Sequence, residues 1–212
     1  MPRSADLSLS DFADALASVN PSPGGSCASA FPAAFAAALV AMVARQTAAS
    51  DPFADLADDM ESVAVEADEL RAELLALAEE DIQAFARVMS ARRTTRYEEI
   101  QAAYRAAVEP PLRVCELSLR VLELAVEVAE RGHPYAVADA GAAALFAAAA
   151  LDSAALSVQL YVHPIDDEEF CAARVEEARR VQSRACALRD SARAAVHEKL
   201  ETPQAHTRVA HG

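Results

Sequence analysis

An all-α bundle of about six helices is predicted by three features of this 212-residue chain. Alanine occupies 53 positions, and it is the strongest helix former. Strand-favouring aromatics are thin, with seven Phe, four Tyr and no Trp. Two long segments carry apolar residues at alternating steps of four and three, the spacing of a helix seam.

The elements follow in order. Ser8 or Ser10 caps a first short helix ending near Ala17. The turn Asn20-Pro21-Ser22-Pro23-Gly24-Gly25-Ser26 leads into a second helix over Cys27–Thr47. Its first eighteen residues, to Ala44, carry no charge, which reaches membrane-spanning length. Ten of them are Ala or Ser, and Pro32 interrupts the run, so a closely packed buried helix is expected rather than a membrane span. Asp51-Pro52 opens a third helix that runs to about Arg92. A fourth spans Arg96–Arg131, with a break expected at Pro110-Pro111. Gly132-His133-Pro134 separates it from a fifth over Tyr135–Val162, and a sixth runs from Asp166 to Leu200 with an alternating-charge, solvated face. Residues 1–200 read as one domain, followed by a polar tail over 201–212.

In the third helix the seam runs Leu56, Met60, Val63, Ala67, Leu70, Leu74 and Leu77. Its next step lands on Asp81, before Ala84 and Val88 resume it. The fourth helix repeats the pattern with Val108, Leu112, Cys115, Leu119, Leu122, Val126 and Ala129, so the two are expected to pair antiparallel. The fifth is apolar all round, with Asp139 its single acid before Asp152. That predicts a central position or cover by a second subunit.

Asp81 and Asp139 are thus two acids directed inward. A desolvated carboxyl holds its proton more tightly and can serve as a general acid or base near neutral pH. The plain alternatives are a salt bridge or helix cap for Asp81 and first-turn dipole stabilisation for Asp139. Pro23-Gly24-Gly25-Ser26 ahead of a helix lets backbone approach a ligand and offers N–H groups to an anion, although most such stretches are simple turns.

Thirty-three acidic against nineteen basic residues give a formal charge of −14, which argues against nucleic-acid and anionic-membrane partners. Cys27, Cys115, Cys171 and Cys186 lack metal-ligand spacing, and the N-terminus has no signal-peptide pattern, so a reduced, cytoplasmic protein is expected.

The order of these motifs resembles the formiminotransferase-cyclodeaminase C-terminal domain family, which also includes stand-alone methenyltetrahydrofolate cyclohydrolases. The resemblance rests on Pro21 to Ser26 ahead of Ala41-Met42-Val43-Ala44, on Glu80-Asp81 with Ala84-Phe85 and Val88-Met89, on Pro111-Leu112, and on His133 through Gly141. It runs from about Leu7 to Phe170. It implies a helical homodimer acting, without metal or redox cofactor, on a one-carbon unit between N5 and N10 of tetrahydrofolate. By the same resemblance Asp81 and Asp139 are acid/base groups. Pro23, Gly24, Gly25, Ser26 and Ser157 would contact substrate, and Arg45 or Arg93 would meet the glutamate carboxylates. The chain departs from the family pattern at Ser26 (usually a third Gly), Cys27 (Ser), Arg45 (Asn) and Ser157-Val158-Gln159-Leu160-Tyr161 (Asn-Val-x-Ile-Asn). Two rival readings are a relative acting on a different C–N bond and a non-catalytic helical dimerisation protein.

Overall fold

The computed structural model describes residues 4–94 and 96–201. Six α-helices form the bundle: α1 (Leu9–Leu16), α2 (Gly25–Ala48), α3 (Ala57–Thr94), α4 (Tyr97–Arg131), α5 (Val137–Val162) and α6 (Glu168–Glu201). Short 3₁₀ turns over Ser4–Asp6, Asp51–Leu56 and Pro134–Ala136 join or precede them. The polar tail expected over 201–212 lies, beyond Glu201, outside the described residues.

Local chemistry sets the helix starts. Ser8 caps α1, its Oγ accepting from the Asp11 N–H at 3.1 Å. Gly24 is the extended residue before α2. The expected start at Asp51-Pro52 is instead a 3₁₀ turn, and α3 proper begins at Ala57.

Both seams are buried as their spacing requires. On α3, Met60, Val63, Ala67, Leu70, Leu74, Leu77, Ala84 and Val88 are buried, and so is Asp81. On α4 the seam from Val108 to Leu122 is buried along its length, with Ala129. The helices run antiparallel: Arg113 pairs with Glu73 at 2.8 Å, Arg120 with Glu66 at 2.6 Å, and Arg131 with Asp59. Rising numbers on one thus meet falling numbers on the other.

The break expected at Pro110-Pro111 does not occur. Both prolines are buried inside a continuous α4, so packing of Val108, Leu112 and Cys115 around them outweighs the missing N–H donors. Pro32 is likewise carried inside α2.

Alanine explains how α2 sits so deep: Ala33, Ala34, Ala36, Ala37, Ala41 and Ala44 are buried, letting α3 and α5 pack close against it. Among the described residues, α2 and the stretch Pro134–Val162 are long and apolar enough to cross a membrane. The apolar window of α2 is 67% buried within the bundle, as a core helix should be.

The fifth helix, expected at the centre or under a second subunit, is not enclosed by the single chain. It packs on α2, α4 and α6, yet it is not covered on every side. Leu145, Phe146, Leu156 and Leu160 are 44–69% exposed, and Phe35 of α2 is 42% exposed. α6 buries only Ala178, Ala185 and Ala192, a seven-residue repeat, and is otherwise the solvated helix expected.

Candidate active site

Four helices bring polar groups to one end of the bundle. The first turn of α2 supplies Ser26 and Cys27, α3 supplies Asp81, α4 supplies Tyr104 and the last turn of α5 supplies Tyr161. The 3₁₀ turn at Ser4–Asp6 packs beside them, the Ser4 N–H donating to Glu79 Oε2 at 3.2 Å.

Asp81 is the centre of this group. It is 6% exposed, and its Oδ1 accepts from Ser26 Oγ at 2.5 Å. Burial raises its pKa, while hydrogen bonds from Ser26 and from the Cys27 backbone N–H pull the other way. Desolvation dominates, so the carboxyl holds its proton more tightly than a solvated one would.

The neighbours are held protonated. Burial and the nearby Asp81 push the Cys27 thiol up to about 12, so it is no thiolate nucleophile near neutral pH. Burial also raises the Tyr161 phenol, with Asp81 and Tyr104 adding to the effect and Ser26 opposing it. Among the described residues no three His, Cys, Asp or Glu side chains gather closely enough to hold a metal ion.

The glycine turn leaves room at this end. A Cβ on Gly25 would meet nothing within 4 Å, and Gly25 is exposed, so the first N–H groups of α2 face open space. Pro23 and Gly24 are half-buried in the same turn, and Ser157 lies on α5 one helical turn before Tyr161, on the same face.

Other residues expected at the site lie elsewhere. α5 runs antiparallel to α2: its start is tied to the end of α2 by the His133 N–H donating to Thr47 Oγ1 at 2.9 Å, while its end reaches Ser26. Asp139 sits in the first turn of α5, half-buried, about 33 Å along the helix from Tyr161. The two acids expected to point inward therefore do not meet in one site within a single chain. Arg45 is at that far end too, exposed and paired with Asp68. Arg93 is exposed in the last turn of α3, about 18 Å beyond Asp81.

Tyr161 and Tyr104 were missed by the sequence reading. A signal for Tyr161 exists: Ala147, Leu151, Ala154, Val158 and Tyr161 form a buried four-and-three seam, and its last member carries a hydroxyl. It breaks the apolar pattern of α5 as Asp81 breaks that of α3.

The chain is similar in sequence and in fold to known proteins. Residues 8–180 match the family model described as formiminotransferase-cyclodeaminase. A methenyltetrahydrofolate cyclohydrolase of Methylorubrum extorquens is 34% identical over 201 residues, covering 91% of this chain and 97% of that protein. The crystal structure of formiminotetrahydrofolate cyclodeaminase from Thermotoga maritima superposes with a TM-score of 0.88 at 26% identity, covering 92% of this chain and 98% of the other. The chain belongs to the formiminotransferase-cyclodeaminase family.

Proposed function

We propose that this chain is a folate-dependent one-carbon enzyme that hydrolyses the methenyl bridge between N5 and N10 of tetrahydrofolate. The observation that carries this reading is Asp81, buried and held by Ser26 beside the open start of α2, in a chain 34% identical to a cyclohydrolase. Water adds to the methenyl carbon while the Asp81 carboxylate takes its proton. The tetrahedral centre collapses, one C–N bond breaks, and protonated Asp81 returns the proton to the departing nitrogen. The net products are the formyl derivative and one released proton. The substrate is a cation, and its positive charge beside Asp81 opposes the burial that raises the carboxyl's pKa, so binding favours the base form. The reaction uses only water and protons. All four cysteines are free thiols, which suits a reducing, cytoplasmic setting.

The likeness to a cyclodeaminase supports a second reading, in which N10 attacks a formimino carbon and ammonia leaves. One experiment separates them: the purified chain is incubated with methenyl- and with formimino-tetrahydrofolate while methenyl absorbance is followed. Cyclohydrolase activity bleaches the first sample, and cyclodeaminase activity generates absorbance in the second. No change in either, with no folate-induced rise in melting temperature, overturns both.

We further propose a homodimer through the exposed apolar face of α2 and α5. That face is about 36 Å long and two helices wide, roughly 700 Å², near the ~800 Å² per partner of a standard interface. A two-fold axis across the middle of α5 sets its residues opposite partners whose numbers sum to 299. The partner's Asp139 then lies opposite Leu160, next to Tyr161. Along α2 the same axis sets the partner's Arg45 opposite Ala28, beside Ser26. Pairing would thus return both far-end residues to the site, Asp139 as a second acid and Arg45, with Arg93, for the glutamate carboxylates. Inactive Asp81→Asn and Asp139→Asn chains, unfolded together and refolded as a mixture, are expected to recover about a quarter of wild-type activity through hybrid dimers. No recovery would mean that Asp139 does not act across an interface.

A further inference from the structure

Beyond Asp81, α3 and α4 run on together as an overhang. α2 begins level with Asp81, to which its Ser26 is bonded, whereas α3 continues to Thr94, about 20 Å further. The α5–α6 corner flanks the α4 side: Gln101 Nε2 donates to the Pro164 carbonyl, and its Oε1 accepts the Asp166 N–H, both at 2.9 Å. One stripe of α3 leads outward from the acid. Asp81, Phe85, Met89 and Arg92 step by four, four and three, so they share a face. Eleven residues make three helical turns to within about 20°, which sets Arg92 in line with Asp81. Phe85 and Met89 are half-buried between them, an aromatic and a thioether surface left partly open, and Arg92 is exposed. The charge of the overhang reverses that of the chain. Residues 82–97 hold four arginines and no acid, in a protein of formal charge −14. Arg96 pairs with Glu99, but among the described residues Arg92 carries no ion pair.

We propose that the substrate lies along this stripe and that Arg92 binds its first glutamate. The lengths agree. Asp81 and Arg92 stand about 16 Å apart along the helix axis. A long helical side chain leans back by one turn, ~5 Å, toward the N-terminus, which brings the Arg92 guanidinium to about 11 Å beyond Asp81. From N10 through the p-aminobenzoyl ring to the glutamate carboxylates is about 10 Å in ordinary bond lengths. The ring then passes over Phe85 and Met89, whose ring and sulfur both make favourable contacts with an aromatic system. At the end of the stripe the guanidinium offers a carboxylate two parallel N–H bonds. Arg93 is turned about 100° from Arg92 and meets the same carboxylates only from the flank. The identity of the ligand rests on the proposed folate reading; the alignment of acid, apolar strip and cation does not.

The test compares methenyltetrahydrofolate with methenyltetrahydropteroate, which lacks the glutamate. Arg92→Gln is expected to raise the KM of the folate about tenfold, the worth of a hydrogen bond between charged groups, with kcat kept within about twofold because the residue is remote from the reacting carbon. The KM of the pteroate should not move. Arg92→Lys should recover part of the loss, since it keeps the charge but not the paired geometry. Arg87→Gln removes the same charge from the outer side of α3, where Arg87 lines a groove with Glu73 and Glu80, and should leave both KM values at wild type. Dissociation constants for 5-formyltetrahydrofolate and its pteroate counterpart give the same comparison without turnover. An Arg92→Gln chain that keeps its folate KM, or loses as much for the pteroate, overturns the proposal and leaves the hydrolytic reading in place. An equal loss in Arg87→Gln overturns it as well, because net charge and not position would then be at work. If no chain turns over either compound, yet Arg92→Gln weakens binding of the folate alone, the placement stands and the hydrolytic reading falls. A wild-type chain that binds neither compound overturns both.

Discussion

Asp81→Asn is expected to lower kcat by about 10³-fold or more, the scale of a lost general acid/base, while leaving the helical circular-dichroism spectrum unchanged. The amide is nearly isosteric, and its oxygen still accepts from Ser26, so the geometry is retained and only the exchangeable proton is lost. The same substitution should raise stability at neutral pH. The Asp81 pKa is raised in the folded chain by burial, from 3.8 in its absence. Between those two values the folded state binds more protons than the unfolded state, so stability falls as pH rises. The favourable contribution is complete below the unfolded value and gone above the folded one. Asparagine has no such dependence. Melting curves should therefore coincide most closely near pH 4 and separate above it, with the variant higher, until the gap levels off. A variant that kept its turnover would remove Asp81 from the mechanism. One that melted lower at neutral pH would mean that the carboxylate is stabilised, not strained, by its surroundings.

Asp81 was legible in the sequence for a physical reason. A seven-residue seam fixes which face of a helix is buried, so an acid falling on the seam of α3 had to be buried with it. Asp139 belongs to a helix without a polar face, where periodicity carries no direction, and nothing local states how far along the bundle its first turn lies. Its distance from Asp81 follows from α5 running antiparallel to α2, which is a property of the whole bundle. The Pro110-Pro111 pair misled for a related reason. The local cost of two missing donors is real, but the buried side chains before and after the pair hold α4 straight through it. Tyr161 went unread because a tyrosine near the end of an apolar helix passes for a core aromatic, and its hydroxyl gains meaning only once Ser26 and Asp81 stand beside it.

At the far end of the bundle the corner at Gly132 has no room for one more methyl group. Gly132→Ala is expected to cost about 3 kcal/mol and lower the melting temperature by roughly 10 °C, the scale of an overpacked core. The backbone of Gly132 is extended, with φ −74° and ψ 173°, a conformation open to any residue, so the requirement for glycine is one of space. An added Cβ would stand 2.3 Å from the Val128 carbonyl oxygen, 3.1 Å from Val43 Cγ1 and 3.3 Å from Thr47 Oγ1. None of these can retreat cheaply. The Val128 oxygen is backbone that accepts the Gly132 N–H at 2.9 Å and so ends α4. Thr47 Oγ1 donates to the Val43 carbonyl at 2.8 Å and accepts the His133 N–H at 2.9 Å, clasping α2 to the α4–α5 corner. Lys199 Nζ donates to the Gly132 carbonyl at 3.0 Å, tying α6 to the same point. Moving the corner to admit the methyl group therefore loosens four helices together. Gly25→Ala is the matched control: its Cβ meets nothing, so its melting temperature should stay near wild type while folate binding at the start of α2 weakens. Equal melting temperatures for the two alanine variants would mean that the corner is not packed as tightly as these distances require.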